Sequence, residues 1–220
     1  MITISQAVEE IIRKKPFITE ALHARIINFS ALANNLKPEV EAKLLKKVNE
    51  SAIIMSLRRL QTSNHLVISQ KLQRRAKWFG DIIVRSNLAD YTFRNSDTLL
   101  KKQQTLLKKI AGRDDFFYTI SQGVYETTFV LSDLLNNDIP LIFEGEKLLS
   151  SRYNLSSLTI KLPAENIDQP GLYYYIFRKL AWDGINILEV ISTTNEVTIL
   201  LKDKDIDRAF SAIKNIKSIT

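Results

Sequence analysis

The sequence predicts an α+β protein in which an all-helical N-terminal part precedes two tandem units of β-α-β-β-α-β order. Three observations lead to this prediction. Apolar residues recur at helical spacing over the first 77 residues, and β-rich runs alternate with helical stretches from residue 78 onward. The same order of elements then begins again near residue 158. The expected domains are therefore 1–77, 78–157 and 158–220.

Composition is that of an ordinary globular protein, with 45% hydrophobic and 25% charged residues. The chain has no cysteine, which excludes disulfides, a thiol nucleophile and thiolate metal sites. Its N-terminus lacks the basic segment of a signal peptide, and no apolar run approaches the ~20 residues of a membrane-spanning helix. A cytoplasmic protein without membrane contact is expected.

The positive charge is concentrated in the N-terminal part. Residues 1–77 contain 14 Lys and Arg against 6 Asp and Glu, a net charge of +8, whereas residues 78–220 contain 17 against 18, a net charge of −1. This asymmetry favours a nucleic-acid or other polyanionic partner for the first part. The alternative is a basic but merely solvated helical surface.

Each N-terminal helix is predicted from a start signal and an apolar period. The expected helices are Gln6–Lys14 with Ser5 as its cap, Ile18–Ile27, Pro38–Val48 with proline in its first position, and Ser51–Thr62. Residues 63–77 are open to two interpretations, because Leu66-Val-Ile can be a wing strand or the start of another helix.

The predicted helix Ser51–Thr62 has two faces. One face is apolar and should pack, and it carries Ile53, Leu57 and Leu60. The other face should be free to bind a partner, and it carries Met55, Arg58, Arg59 and Thr62.

The middle of the chain reads as one complete β-α-β-β-α-β unit. The expected elements are a strand from Asp81 that can extend to Phe93, a helix from Ser96 to Ile110, the hairpin strands Phe116–Ser121 and Tyr125–Leu131, a short helix Asp133–Ile139, and a strand Leu155–Leu162.

The last third repeats this order, which is that of ferredoxin-like folds. The expected elements are a strand Leu158–Leu162, a helix Leu172–Asp183, the strands Asn186–Ser192 and Glu196–Leu201, and a closing helix Asp205–Ile216. Only four residues follow, so the fourth strand must be short or come from another segment. An exposed sheet edge invites pairing with another subunit, and a homodimer is therefore expected.

The pattern of this last part is specific. Pro170-Gly171, Gly184-Ile-Asn-Ile, Glu196-Val-Thr-Ile-Leu-Leu and Asp205-Ile-Asp-Arg-Ala-Phe, in this order, resemble the ACT domain, particularly the paired ACT domains of aspartokinase regulatory regions. The resemblance implies that a small amino acid binds as effector at the turn before the first helix. By position, it points to Asp168, Gln169, Gly171 and Leu172, with Asn186 and Ile187 facing them from the next strand.

Elementary chemistry supports a ligand at this turn, although a simpler explanation exists. Gly171 lets the backbone approach a ligand closely, and the helix that follows presents unpaired N–H groups suited to a carboxylate. Equally, Gly171 and Gly184 can serve turn geometry alone.

No catalytic apparatus is visible in the sequence. The 6 glycines are not clustered into a phosphate-binding turn, and the two histidines, His23 and His65, have no neighbouring partners for a metal. We therefore expect no catalytic residues, no metal, no cofactor and no enzyme activity, aspartate kinase activity included.

Two functions remain. In the first, the protein is an amino-acid-responsive transcriptional regulator whose N-terminal part resembles, in a generic way, a winged-helix or helix-turn-helix DNA-binding domain. Ser51–Thr62 would be its recognition helix, with Met55, Arg58, Arg59 and Thr62 reaching base edges and Lys43, Lys46 and Lys47 contacting phosphates. In the second, it is a sensor subunit that acts on a partner protein through the same helices.

Overall fold

The structure is a computed structural model that describes residues 2–62, 79–113, 116–163 and 171–218, with backbone only for the last two residues. The chain divides into two compact units, and the boundary follows residue 71. Both that boundary and the predicted one at residue 77 lie outside the described residues, as does the segment that was expected to form a wing or a helix. We call the two units the helical unit and the sheet unit.

The helical unit consists of short helices around one apolar core. Its described helices are α1 (Ile4–Arg13), α2 (Pro16–His23), α3 (Phe29–Leu44) and α4 (Glu50–Thr62). Helix α4 packs against α1 and α3, and the side chains of Ile12, Leu36 and Leu57 are fully buried among them. The predicted apolar face of α4 is confirmed, because Ile53 and Leu60 are buried in the same core.

The first helix begins earlier than the sequence suggested. Thr3, and not Ser5, is its N-cap, and Thr3 and Gln6 form a reciprocal capping box in which each side chain accepts the backbone N–H of the other. Ser5 instead lies inside the helix, where its hydroxyl is 3.0 Å from the hydroxyl of Ser56 on α4. The expected cap was thus wrong by two residues, because the serine is used for helix packing.

The predicted helix start at Pro38 is also wrong. Pro38 lies inside α3, which runs without interruption from Phe29 to Leu44. A proline inside a helix costs about 3 kcal/mol because it removes one backbone hydrogen bond and crowds the preceding turn. The buried side chains of Leu36 and Val40, on either side of the proline, offset this cost by packing in the core. Five residues, 45–49, then connect α3 to α4.

The sheet unit contains two copies of a β-α-β-β-α series. The first repeat comprises β1 (Ile82–Arg94), α5 (Leu99–Ile110), β2 (Tyr118–Gln122), β3 (Glu126–Ser132) and α6 (Ile139–Ile142). The second repeat comprises β4 (Leu148–Lys161), α7 (Leu172–Trp182), β5 (Glu189–Ser192), β6 (Glu196–Lys202) and α8 (Ile206–Ser218). A short 3₁₀ turn follows the third strand of each repeat, which is β3 in the first and β6 in the second.

The two repeats share one antiparallel sheet with the strand order β2-β3-β1-β4-β6-β5. Strands β1 and β4 lie side by side at its centre, and each occupies the fourth-strand position of the other repeat. The strand that appeared to be missing after residue 216 is therefore supplied by Ile82–Arg85, which pairs with Ser157–Ile160. The expected open edge at this place does not exist, and the argument for a homodimer from that edge is overturned.

The duplication extends to individual residues of the central strands. Arg85-Ser-Asn87-Leu on β1 recurs as Arg152-Tyr-Asn154-Leu on β4. Both asparagines have left-handed backbone conformations, with φ of 59° and 54°, at irregularities in the β1–β4 register. Asparagine tolerates this conformation better than most residues, so the same bulge is built twice.

Helices cover one face of the sheet. Leu106 of α5 packs on Tyr91 and Phe129, and Ile176 of α7 packs on Leu158 in the same way. The opposite face carries a smaller cluster of Leu88, Val130, Leu155 and Leu200, in which no described helix takes part.

Burial of the central strands predicts where truncation destabilises the sheet unit. Ile160→Ala removes a fully buried side chain and should lower the free energy of unfolding by about 2–5 kcal/mol. The matched change Ile83→Ala, on the strand paired with it, removes a side chain that is 55% exposed and should cost less than about 0.5 kcal/mol. Urea denaturation measures both, and equal losses would contradict the observed register.

Candidate functional site

The predicted ligand corner lies where α7 begins. Gly171 has a left-handed backbone, with φ of 96°, and precedes the helix without any side-chain cap. Its carbonyl accepts the N–H of Tyr175 at 3.1 Å, whereas the first N–H groups of a helix have no acceptor within the helix itself. Leu172 is buried in the core beneath the corner. Asp168 and Gln169 lie outside the described residues.

Asn186 and Ile187 do not face this corner, contrary to expectation. They follow the C-terminal end of α7, which is closed by hydrogen bonds from the N–H groups of Gly184 and Ile185. Helix α7 has 11 residues and is therefore about 16 Å long. Asn186 is exposed, and Ile187 packs partly against the core. A ligand role for either residue would require a site separate from Gly171.

The β5–β6 turn lies beside the corner instead. The hydroxyl groups of Tyr173 and Ser192 are 2.5 Å apart, which joins the first turn of α7 to the end of β5. The N–H of Leu162, at the end of β4, donates to the carbonyl of Asn195 at 2.7 Å. Ser192 and Asn195 are therefore the polar neighbours of this corner, and sequence spacing did not indicate them.

The equivalent corner of the first repeat is filled by the protein's own carboxylate. Glu146 accepts hydrogen bonds from the hydroxyl groups of Ser96 and Thr98, each at 2.6 Å, at the start of α5. Burial tends to raise the pKa of Glu146, but these hydrogen bonds and the charge of Lys102 outweigh it and lower the pKa. Two hydroxyl groups and the charge of Lys102 therefore stabilise a carboxylate at this corner of the first repeat.

The structure places the predicted DNA-binding residues on the helical unit in two groups. Lys46, Met55 and Arg59 lie together around a hollow of about 430 Å³, beside the N-terminus of α1. Lys46 and Arg59 are exposed and make no ion pair with any described residue. Lys47, in the turn before α4, is likewise exposed. These residues form a basic surface, which we call the Lys46 surface.

The other residues predicted to contact DNA already interact with residues of the helical unit. Lys43 forms an ion pair with Glu10 and lowers the pKa of that carboxyl. The Arg58 guanidinium lies over the ring of Phe29, at 5.8 Å from its centre. The hydroxyl of Thr62 donates to the carbonyl of Arg59 at 2.9 Å. The contacts of Lys43 and Arg58 join residues that are far apart in the sequence, so the local sequence pattern does not show them.

Two negative findings concern the described residues. No group of His, Asp and Glu side chains among them could hold a metal ion. None of the helices described is long and apolar enough to cross a bilayer.

Comparison with known proteins identifies solved structures of similar fold. No protein-family model matches the sequence, and no curated protein matches it. The ligand-free regulatory subunit of aspartate kinase from Thermus thermophilus superposes with a TM-score of 0.52 at 14% identity, over 63% of this chain and 98% of that one. A structure of aspartokinase α and β subunits gives a TM-score of 0.53 at 15% identity, over 64% and 99%.

Larger kinases match over a part of their length only. Clostridium acetobutylicum aspartate kinase gives a TM-score of 0.52 at 15% identity over 63% of this chain, which spans 34% of that protein. These neighbours support the resemblance to ACT-type regulatory domains, and at such identities they show the fold alone. They give no support to the helix-turn-helix resemblance, which stays a prediction.

The Glu146 corner predicts a pH-dependent contribution to stability. Glu146→Gln should lower the free energy of unfolding by about 1 kcal/mol at pH 7, since two hydrogen bonds lose their charged acceptor at a partly exposed site. The pKa of Glu146 is lowered in the folded state, so its stabilisation is complete above the pKa of the unfolded chain and disappears as pH falls through the folded one. The difference from wild type should therefore shrink as pH falls below 4.5, the ordinary pKa of a glutamate.

Urea denaturation at several pH values measures this effect. Glu144→Gln is the matched control, because Glu144 is exposed and makes no hydrogen bond or ion pair with a described residue. A loss for Glu146→Gln that stays constant with pH would show that the carboxylate charge is not involved.

Proposed function

We propose that the protein is an amino-acid-responsive regulatory protein without enzyme activity of its own, in which the sheet unit binds a small amino acid at the Gly171 corner. The observation that carries this proposal is the difference between the two corners. In the first repeat, Glu146 accepts hydrogen bonds from the hydroxyl groups of Ser96 and Thr98 beside the start of α5. In the second repeat, Gly171 offers no such side chain, and the first turn of α7 contains no acidic residue. The carboxylate of a free amino acid would supply the missing group.

The chemistry of the corner suits such a ligand. Backbone N–H groups at the start of α7 would bind the carboxylate, with the positive end of the helix dipole adding to the attraction. The hydroxyl of Ser192 and the carbonyl of Asn195 are acceptors near the corner for the ligand's ammonium group. Binding would stabilise whichever arrangement of the protein holds the ligand more tightly and so shift its population.

The structural neighbours agree with this role. The Thermus thermophilus protein is a regulatory subunit, the Clostridium acetobutylicum kinase is described as an allosteric enzyme, and aspartokinase III of E. coli, with a TM-score of 0.51, forms a complex with aspartate and ADP. For this chain we propose the regulatory role and no kinase activity.

We further propose that the helical unit binds DNA, which would make the protein a transcriptional regulator. The support for this is the Lys46 surface, in which Lys46, Lys47 and Arg59 are exposed. Phosphate contacts require such free cations, whereas ion-paired ones such as Lys43 contribute less. The alternative is a sensor subunit that contacts a partner protein, for which the exposed side chain of Met55 in the same hollow is the specific observation.

A homodimer remains part of the proposal on a different basis. Strands β2 and β5 each have a single neighbour and form the two edges of the sheet. An unpaired edge can add a strand from a second copy. Multi-angle light scattering at micromolar concentration tests this directly, and a mass of 25.2 kDa would identify a monomer.

Amino-acid binding is tested by thermal shift and calorimetry. At least one of the twenty amino acids should raise the melting temperature, because a ligand specific to the folded state must stabilise it. Ser192→Asp places a negative charge beside the corner and should weaken that binding by at least about 10-fold through repulsion of the ligand carboxylate. Ser150→Asp, at an exposed position of β4, should leave it unchanged.

These variants also separate the possible outcomes. Equal weakening by both aspartates would move the site away from the Gly171 corner. No stabilisation by any amino acid would contradict the effector proposal.

DNA binding is tested by fluorescence anisotropy with fragments of genomic DNA at several salt concentrations. The affinity should fall steeply with salt, and Lys46→Ala with Arg59→Ala should weaken it and reduce the salt slope by about 2. The double control Arg13→Ala with Lys15→Ala removes the same charge from ion-paired positions and should change much less. No binding even at low salt would favour the protein-partner alternative.

A further inference from the structure

A second hollow lies at the other end of the sheet unit's second repeat, away from Gly171. It has a volume of about 630 Å³ and is lined by the bulged part of β4, the residue before β5 and the end of β6. Its principal residues are Tyr153, Asn154, Leu188, Lys202 and Lys204. We call it the Asn154 hollow. Ligand pockets in proteins commonly have volumes of a few hundred to a thousand Å³.

The duplication of the fold provides an internal comparison for this hollow. In the first repeat, Phe117 precedes the hairpin strand, as Leu188 does in the second. The guanidinium of Arg85 lies over the Phe117 ring, at 5.4 Å from its centre. Phe117 and Leu188 both pack against the cluster of Leu88, Val130, Leu155 and Leu200, and Leu188 is the smaller of the two.

Arg152, the counterpart of Arg85, also lines the hollow and forms ion pairs there. Its guanidinium lies 2.5 Å from the carboxylate of Asp90, which is fully buried, and 3.1 Å from that of Glu189. The pKa of Arg152 is raised, mainly by the hydrogen bond to Asp90. Its positive charge is thus balanced by two carboxylates.

The rim of the hollow carries two lysines against one carboxylate, that of Asp203, and is therefore net positive. Strand β6 ends in Lys202-Asp-Lys204, where the equivalent end of β3 is Ser132-Asp-Leu134. Lys202 and Lys204 are exposed, and neither forms an ion pair with a described residue. The carboxylate between them, that of Asp203, accepts a hydrogen bond from Ser156.

The hollow also has an apolar and aromatic surface. Tyr153 is the counterpart of Ser86 in the first repeat, and its side chain is 50% exposed. Its ring meets the ring of Tyr91 edge-on, with 5.8 Å between the two ring centres. Leu155 and Leu188 lie alongside. An exposed ring held by a buried one is a platform on which a flat group can stack.

We propose that the Asn154 hollow binds a small organic anion that carries a ring. The ring packs on Tyr153 and Leu188, and the anionic group, a phosphate or a carboxylate, lies between Lys202 and Lys204. Tyr153, Lys202 and Lys204 differ from the equivalent residues of the first repeat, Ser86, Ser132 and Leu134, whereas Asn154 and Asp203 recur there as Asn87 and Asp133. The site is separate from the Gly171 corner and does not depend on the function proposed for it.

Calorimetry on the full-length protein tests the proposal with defined probes. AMP combines a ring with a phosphate, and phenylpyruvate combines a ring with a carboxylate. Adenosine supplies only the ring of AMP, and inorganic phosphate supplies only its anionic group. At least one of the two combined probes should bind at least about 10-fold more tightly than either half. If neither AMP nor phenylpyruvate binds, the proposal is overturned. If one of them binds, it shows whether the anionic group is a phosphate or a carboxylate.

Variants that restore the first repeat's residues locate the site. Lys202→Ser with Lys204→Leu should weaken binding by about 10-fold or more, whereas the control Lys101→Ser with Lys108→Leu, on the exposed surface of α5, should not. Leu188→Phe should fill the hollow and abolish binding, with the melting temperature reporting whether this variant folds. Undiminished binding to the Lys202/Lys204 variant overturns the proposal even if Leu188→Phe is unstable.

A final comparison separates this site from the Gly171 corner. Ser192→Asp should leave the binding of AMP or phenylpyruvate unchanged. Loss of binding in that variant, with the Lys202/Lys204 variant unaffected, would place the anion at the corner and overturn the assignment to the hollow.

Discussion

The pairing of β1 with β4 is the constraint on which the rest of the sheet unit depends. Neither repeat has a fourth strand of its own, and each obtains one from the first strand of the other. A two-layer repeat without that strand would leave backbone hydrogen-bonding groups and an apolar edge unpaired. The two repeats are therefore not independent modules joined by a linker, because β4 passes from one into the other between Leu148 and Lys161.

Comparison of the two repeats distinguishes residues that both repeats share, which maintain the fold, from residues that differ between them. Both central strands contain an asparagine in the left-handed conformation. Each repeat also contains a pair of threonines whose hydroxyl groups are in contact, Thr92 with Thr128 at 2.9 Å and Thr159 with Thr198 at 2.8 Å. These shared features maintain bulge and register. The repeats differ at both ends, because Glu146 lies at the corner of the first repeat and Tyr153, Lys202 and Lys204 line the hollow of the second.

Charge in the helical unit illustrates why a count of basic residues is a weak guide to a surface. The sequence assigns the whole positive excess to this part of the chain, yet Lys43 and Lys15 form ion pairs with carboxylates of other helices, and Arg13 pairs with Glu9 of its own helix. Lys46 and Arg59, which form no ion pair with a described residue, line one hollow beside the N-terminus of α1. Lys14 and Arg25 are also exposed but do not line that hollow, so exposure alone does not define the surface.

The sequence by itself determined the order of the elements of the sheet unit and the faces of α4, because apolar periodicity and turn residues act over a few neighbours. It could not decide that α3 continues through Pro38, since only packing of Leu36 and Val40 offsets the cost of that proline. Nor could it indicate Glu146, which lies about 50 residues from its partners, or the distance that α7 places between Gly171 and Asn186. Tertiary structure decided these points, because strand pairing and side-chain contacts join residues that no local pattern relates.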